Sequence, residues 1–162
     1  MASQPLTDRE FQQTGRTANS LVFASAAQAT VVLPAVAASV ALPSVTVAGL
    51  PEDIAINRVV AAIAWRKQVN SSLLANAIDG AQQIQVRSDA PGTFRDAITI
   101  ADNLLSTGAT ATEGGMLLLG DSDLAVEVAG GGTYEFQWTL AQVDDAALTL
   151  HDVQTYLIVE FS

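Results

Sequence analysis

The residues that could support catalysis are few and far apart. His151 is the only histidine and the chain has no cysteine, so a nucleophile would have to be serine or threonine. No GxSxG elbow is present, and no serine has a neighbouring base that would activate it. A single histidine beside a predicted strand is more often held by structural hydrogen bonds than used in chemistry. We therefore expect no catalytic residues and no enzymatic activity.

Carboxylates offer one alternative to this view. Asp121, Asp123 and Glu127, in the stretch GDSDLAVE, could supply oxygen ligands to a calcium ion. A complete calcium loop needs more oxygens and a glycine at a set position, which this stretch lacks. Asp144 and Asp145 are typical of a hairpin loop. We expect solvated turns at both places and no cofactor or metal site, with a weak calcium site at the first as the open alternative.

Four aromatic residues raise the question of carbohydrate binding, because their rings could stack on sugars. Trp65, Tyr134 and Trp138 fall on the apolar faces of alternating segments, where large rings belong to a core. Only Tyr156 falls on the opposite face of its segment. The pattern favours a core role for the first three.

Composition excludes one class of partner and favours another. The chain of 162 residues has 7 basic and 17 acidic residues, and none of the basic ones lies beyond residue 95. It therefore lacks the cations that nucleic-acid binding requires. Charged residues make up 15% of the chain, against about 25% in a typical soluble domain. We expect neighbouring subunits to cover part of its surface, and an Ala- and Val-rich monomer with an uncharged polar surface is the alternative.

A long uncharged run, from Thr17 to Pro51, has the length of a membrane span but not its character. Pro34 and Pro43 would each remove a backbone hydrogen bond in hydrocarbon, and no cluster of Lys or Arg flanks the run. Acidic residues at positions 8 and 10 argue against a signal peptide. We expect no membrane insertion, and the run is better explained by β-strands.

Short segments of alternating or β-branched residues, separated by turn residues, predict an all-β fold. SSLLANAIDG (71–80) could be a short helix or a loop. The number and spacing of the strands predict an antiparallel β-sandwich of about eight strands, jelly-roll-like in topology. The strand segments are 30–34, 44–51, 56–69, 82–88, 97–102, 116–120, 124–128, 133–140 and 152–162, with turn-rich sequence at 106–115.

The segment 56–69 shows how the faces divide. Val59, Ala61, Ile63 and Trp65 share one face, and the other carries charge only at its ends. Its members are Arg58, Val60, Ala62, Ala64 and Arg66. An outer face of this kind suggests that part of it is covered as well.

Residues 1–27 are expected to form an extended N-terminal arm, and residues 28–162 the sandwich domain. The first twenty residues are polar and show no periodicity. Phe11, Leu21, Val22 and Phe23 are the apolar side chains with which this arm could contact a neighbouring subunit. An arm folded back on its own domain is the alternative.

This low-charge sandwich with a polar arm resembles the capsid decoration, or cement, proteins of tailed bacteriophages. The likeness lies in the style and order of the strands and covers under half of the chain. It is carried by VTVAGLPEDIAINRVVAAIAWRK (45–67), AQQIQVRSDAPGTFRDAITI (81–100) and GGTYEFQWTLAQVDDAALTLHDVQTYLIVEFS (131–162).

The resemblance implies a structural protein of the virion, on the capsid surface, with no catalytic residues. Its partners would be the major capsid protein and copies of itself, often as a trimer, with residues 1–27 reaching the capsid. No residue can be matched one by one to a capsid-binding position. A head-fibre or tail adhesin that binds surface carbohydrate is the alternative function.

Overall fold

The chain forms nine β-strands in a computed structural model that describes residues 19–70, 82–88, 92–100, 111–122, 131–140 and 147–162. No helix occurs among these residues, and so none that could cross a membrane. The strands are β1 (Asn19–Ala24), β2 (Gln28–Leu33), β3 (Ala38–Val47), β4 (Ile56–Asn70), β5 (Gln82–Ser88), β6 (Arg95–Ile100), β7 (Ala111–Ser122), β8 (Gly132–Leu140) and β9 (Leu148–Phe161).

The strands make two antiparallel sheets that pack face to face. Sheet A has the order β1-β9-β4-β7, and β2 also pairs with β9. β1 lies along the C-terminal half of β9 and β2 along its N-terminal half, so both occupy the same edge. Sheet B has the order β3-β8-β5-β6. The predicted all-β antiparallel sandwich is confirmed.

Alternating residues of both sheets fill the core, as the period-2 pattern predicts. The predicted inner face of β4 is buried, and so are alternate residues of β5, β6, β8 and β9. Trp65 from sheet A and Trp138 from sheet B meet with ring centroids 5.9 Å apart. Each indole Nε1 donates to a buried glutamine oxygen, Trp65 to Gln68 at 3.2 Å and Trp138 to Gln82 at 3.3 Å. These bonds satisfy the polar N–H group of each indole, so both rings can lie buried where the two sheets meet.

Ser25 lies between β1 and β2, the two strands that share one edge of sheet A. Hydrogen bonds with Thr155 of β9 connect this junction to the rest of the sandwich. The backbone N–H of Ser25 donates to the Thr155 carbonyl at 2.9 Å, and the Thr155 N–H donates to Ser25 Oγ at 3.0 Å. The buried Thr155 hydroxyl donates across the core to the carbonyl of Pro43 at 2.6 Å. That bond satisfies a carbonyl at the β3 irregularity, where the register shifts between Leu42 and Val45.

Two predicted segment bounds are wrong for a shared reason, which is that a turn-forming residue sits inside a strand. β3 begins at Ala38 and passes through Pro43, because this edge strand carries the bulge described above. β7 begins at Ala111 and includes Gly114 and Gly115, within the stretch expected to be a turn. The register of β7 against β4 shifts at this place, between the partners of Trp65 and Lys67.

Other differences from the predicted segments concern the N-terminal arm and the start of the last strand. Residues 19–24, assigned to the arm by the sequence, form β1 and pair with β9. β9 begins at Leu148, four residues before the predicted start, so His151 lies within the strand. The predicted strand 124–128 and the segment 71–80 lie outside the described residues.

Candidate subunit interface

The outer face of sheet A, which points away from sheet B, carries a ladder of paired side chains across β4 and β9. Residues at the same level are Val60 and Ile158, then Ala62 and Tyr156, then Ala64 and Gln154. Two ion pairs close the ladder at its ends: Arg58 with Glu160, and Arg66 with Asp152. The middle of the ladder is therefore uncharged and mostly apolar, with small side chains on β4 and larger ones on β9, while each end carries one charge of either sign.

β1 and β7 complete this face on either side. Val22 of β1 lies level with Ile158, and Leu119 and Leu117 of β7 lie level with Ala62 and Ala64. These three side chains are among the most exposed large hydrophobic residues described, at 60%, 56% and 58% for Val22, Leu119 and Leu117. Exposed aliphatic residues that gather on one face are typical of a protein-contact surface.

A groove of about 310 Å³ runs along this face, with the alanines as its floor. Ala62 and Ala64 have small side chains, so the longer residues of β7 rise on one side and those of β9 and β1 on the other. We call this feature the apolar groove, and its lining is almost wholly apolar. Its residues are Val22, Ala62, Ala64, Leu117, Leu119, Tyr156 and Ile158.

Hydrogen bonds hold the ring of Tyr156, the one aromatic residue among those that line the groove. The Tyr156 hydroxyl donates to Gln154 Oε1 at 3.0 Å, and Gln154 Nε2 donates to the Ser25 carbonyl at 3.1 Å. Each partner fixes the orientation of the next, so the ring is held against the sheet. The tyrosine hydroxyl is thereby engaged within the chain, and the ring contributes an apolar surface to the groove.

The two ion pairs differ in geometry. Arg66 Nε lies 2.6 Å from Asp152 Oδ2, whereas Arg58 Nη1 lies 3.9 Å from Glu160 Oε1. All four side chains are well exposed, so each pair contributes little to the stability of the free chain. Asp152 also has a positive φ of 54°, which interrupts the extended backbone of β9. The pairs therefore matter chiefly as a fixed charge pattern at the two ends of the groove.

The outer face of sheet B has the opposite chemistry. Gln85 Oε1 accepts hydrogen bonds from Gln137 Nε2 at 2.7 Å and from the Thr139 hydroxyl at 3.0 Å. Gln85 Nε2 donates to Asp96 Oδ1 at 2.7 Å. We call these four residues the amide ladder. Beside them, the Arg87 guanidinium lies 4.4 Å from the centre of the Phe94 ring.

The structure separates the residues that the sequence predicted for an interface. Val22 lies on the outer face of β1, whereas Phe23 lies partly buried against the core and Leu21 shares its side of the strand. Alternation in a strand causes this split. Phe11 lies outside the described residues. Of the three that are described, Val22 alone belongs to the apolar groove.

Leu117 and Leu119 line the apolar groove but are not among the residues that the sequence predicts for an interface. The predicted strand 116–120 has the sequence MLLLG, in which three successive leucines give no alternation from which to choose a face. The uncharged centre of the outer face of β4 was the available signal, because it predicted a covered surface. Ala62, on that face, is only 1% exposed even in the single chain.

The candidate chemical groups do not come together in the described part of the chain. His151 is half-buried in β9, level with Thr30 on one side and Lys67 on the other. Within the described ranges, no group of three His, Cys, Asp or Glu side chains could hold a metal ion. Two of the three residues of the alternative calcium site, Asp123 and Glu127, lie outside those ranges. The predicted hairpin residues Asp144 and Asp145 lie outside them as well.

The aromatic residues weighed for sugar stacking are mostly in the core. Trp65, Tyr134 and Trp138 are each at most 2% exposed, which confirms the predicted faces of β4 and β8. Tyr156 is the one of the four that reaches the outer surface, and it does so within the apolar groove.

Fold and geometry together define the class as a two-sheet β-sandwich with an apolar outer face on one sheet. No family model and no curated protein sequence matches this chain. Among solved structures it is similar to the xylan-binding module CBM15, with a TM-score of 0.45, 11% identity, and 87% of this chain and 97% of that one covered. It is also similar to the VP2 subviral particle of infectious bursal disease virus, with a TM-score of 0.37, 14% identity, and 88% and 39% covered. At these identities the likeness concerns the fold alone.

Proposed function

We propose that this protein is a structural subunit that binds other proteins in a large assembly, and that the assembly is a phage capsid that it decorates and reinforces. The observation that carries the proposal is the apolar groove on the outer face of sheet A. A sheet face that points to solvent is normally polar, and this one exposes Val22, Leu117 and Leu119 beside two alanines. A covering subunit removes that area from water.

The lining of the groove favours a protein over a small polar ligand. Sites for small polar molecules combine apolar walls with convergent hydrogen-bonding groups. Here Tyr156 is the one lining residue with a polar side-chain atom, and its hydroxyl is already bonded to Gln154. Association through such a surface gains free energy from apolar burial, at about 25 cal/mol per Å² before the costs of association.

Charge and composition support the capsid as the setting. The chain has few charged residues, and every basic one lies at or before Arg95. An acidic second half suits an outer position, where it keeps a particle soluble. A regular shell also presents many identical sites, so a modest contact is reinforced by neighbouring ones. The resemblance to decoration proteins points to the same role. Because residues 19–24 form β1 of the sandwich, the proposed contact to the major capsid protein is the stretch before it, residues 1–18.

Binding to capsids tests this proposal. The full chain is mixed with capsids stripped of their surface proteins and sedimented with them, and the resistance of the particles to heat is compared with and without it. We expect saturable binding and a higher temperature of particle rupture. A chain that stays in the supernatant at all ratios, while folded by circular dichroism, would refute the capsid role.

Carbohydrate binding is the second candidate, and the amide ladder is the observation that favours it. Amide and hydroxyl groups on one sheet face suit the hydroxyl groups of sugars, and the Phe94 ring lies nearby. Co-sedimentation with insoluble polysaccharides, using Gln137→Ala as the ladder variant, decides this candidate. Retention that the variant abolishes would favour an adhesin, and no retention on any polysaccharide would remove it.

A further inference from the structure

We infer that the apolar groove is the contact between two copies of this chain, related by a two-fold axis that runs parallel to the strands between β4 and β9. This inference rests on the proposed function, because it names the occupant of the same face. What singles out a second copy is the charge pattern at the ends of the groove. Both arginines lie on β4 and both carboxylates lie on β9.

The two-fold operation makes this pattern self-complementary. When two sheet A faces meet, rotation about an axis parallel to the strands keeps each residue at its level and exchanges β4 with β9. Arg58 of one copy then lies over Glu160 of the second copy, and Arg66 lies over the second copy's Asp152. Four cross-copy pairs of opposite charge result. They surround an apolar centre made of the alanines, Tyr156 and Ile158.

The alternative face-to-face arrangement is opposed by the same charges. A two-fold axis running across the strands exchanges the two ends of the ladder. It would set Arg58 over the second copy's Arg66, and Glu160 over its Asp152. Like charges in contact disfavour that arrangement. The charge pattern thus selects one of the two symmetric ways to bury the face.

The outer strands also fit the selected axis. The rotation exchanges β1 with β7, so Leu119 lies over Ala24 of the second copy, which is level with Tyr156. Ala24 is small and exposed, and leaves space for the leucine beside Val22. Long side chains on one edge thus meet short ones on the other, as close packing of two sheets requires.

The size of the face predicts a weak contact. Three strand spacings are about 14 Å and the five ladder levels about 27 Å, so the footprint is roughly 380 Å² per copy. A standard stable interface buries about 800 Å² per partner. We therefore expect a weak dimer in free solution, weaker than a complex of standard interface size. In an assembly the same contact gains from neighbouring ones.

Sedimentation equilibrium of the full chain, from low micromolar to millimolar concentration, tests the inference. We expect a monomer–dimer equilibrium that Leu119→Lys weakens by about tenfold or more, because it buries an unpaired charge. Val36→Lys is the matched control, since Val36 is similarly exposed, at 53%, but lies outside the groove. It should leave the equilibrium unchanged.

Charge exchange gives the decisive readout. Arg58→Glu and Glu160→Arg should each weaken dimerisation about tenfold, because each sets like charges against each other across the contact. An equimolar mixture of the two variants should dimerise like the unaltered protein, because each copy then meets its opposite. A general loss of folding in either variant could not produce this rescue.

The outcomes separate this inference from the proposed function. A chain that remains monomeric up to millimolar concentration but still binds capsids would overturn the second copy as occupant and leave the capsid role standing. A dimer unaffected by Leu119→Lys would overturn the groove as its contact. Dimerisation with mixture rescue, without capsid binding, would support the inference and refute the capsid role.

Discussion

Single residues in the core are fixed by hydrogen bonds as well as by packing. Trp138 alternates with polar residues in β8, and Trp65 shares the apolar face of β4 with Val59, Ala61 and Ile63, so the burial of both could be predicted from the sequence. The glutamine partner of Trp138 could not. Trp138 and Gln82 are 56 positions apart, and nothing local to β5 indicates that the first residue of that strand supplies a buried acceptor. Strand periodicity gives the face of a residue, whereas a long-range partner depends on the completed sandwich.

Trp138→Ala should lower the free energy of unfolding by about 3–5 kcal/mol, because the ring is fully buried and its removal leaves a cavity. Denaturant unfolding, followed by tryptophan fluorescence of the remaining Trp65 and by circular dichroism, measures the change. Ser39→Ala, at an exposed position of the neighbouring strand β3, is the control and should stay within about 0.5 kcal/mol. A near-neutral Trp138→Ala would mean that this ring is not part of the core.

Asp152 illustrates backbone conformation that the sequence did not indicate. It stands inside a long strand, yet its φ of 54° is one that aspartate and glycine tolerate and β-branched residues do not. Asp152→Val should therefore destabilise the chain by about 1–3 kcal/mol. Asp152→Gly should cost less, although it loses the same ion pair. Thermal melts of both variants separate the two causes, and equal losses would contradict a backbone origin.

At the scale of strands, sequence patterns predicted existence better than extent. The extents of β4, β5 and β8 are predicted closely, because β5 and β8 alternate between apolar and polar residues and one face of β4 is apolar from Val59 to Trp65. β3 and β7 begin earlier than predicted, since Pro43 and the pair Gly114–Gly115 are residue types that predict a strand boundary. Such residues end a strand in isolation, but an edge strand can absorb them as a bulge. Whether a strand lies at an edge is a property of the sheet, which the local sequence does not contain.

Gly120 allows β7 of sheet A and β6 of sheet B to approach each other closely at one side of the sandwich. A methyl group added at this position in β7 would lie 1.9 Å from the carbonyl oxygen of Ala97 in β6. Because that oxygen belongs to the backbone, it cannot rotate away. Gly120→Ala should therefore force β7 and β6 apart and cost about 1–3 kcal/mol. Hydrogen exchange of the β6 and β7 amides measures the separation. Unchanged exchange and melting temperature, equal to those of Ser20→Ala on exposed β1, would contradict this close approach.

For the whole molecule, the sequence predicts the sandwich, which the structure confirms. It also predicts a partner that covers part of the surface, which stays a prediction, and it does not indicate which face would be covered. The scarcity of charge is a global property and points to no particular face. The apolar groove exists only because β1, β9, β4 and β7 lie side by side in that order. The sequence supplied Val22 as a candidate and missed Leu117 and Leu119, since strand order decides which residues become neighbours.

Deleting residues 1–18 should leave the sandwich folded and abolish capsid binding, because β1 begins only at Asn19. Circular dichroism and melting of the shortened chain check the fold, and co-sedimentation with stripped capsids checks binding. Self-association through the groove should persist in this variant. Full capsid binding by the shortened chain would show that the arm is not the capsid contact.

The most direct measurement of the central claim is the solvent accessibility of the groove before and after assembly. Hydroxyl-radical labelling, read by mass spectrometry, reports on Leu117, Leu119 and Tyr156 in dilute protein and on decorated capsids. Protein contact at the outer face of sheet A predicts strong labelling when dilute and at least several-fold protection after assembly, with Val36 labelled as the internal reference. Equal labelling of the three groove residues in both states would contradict the account.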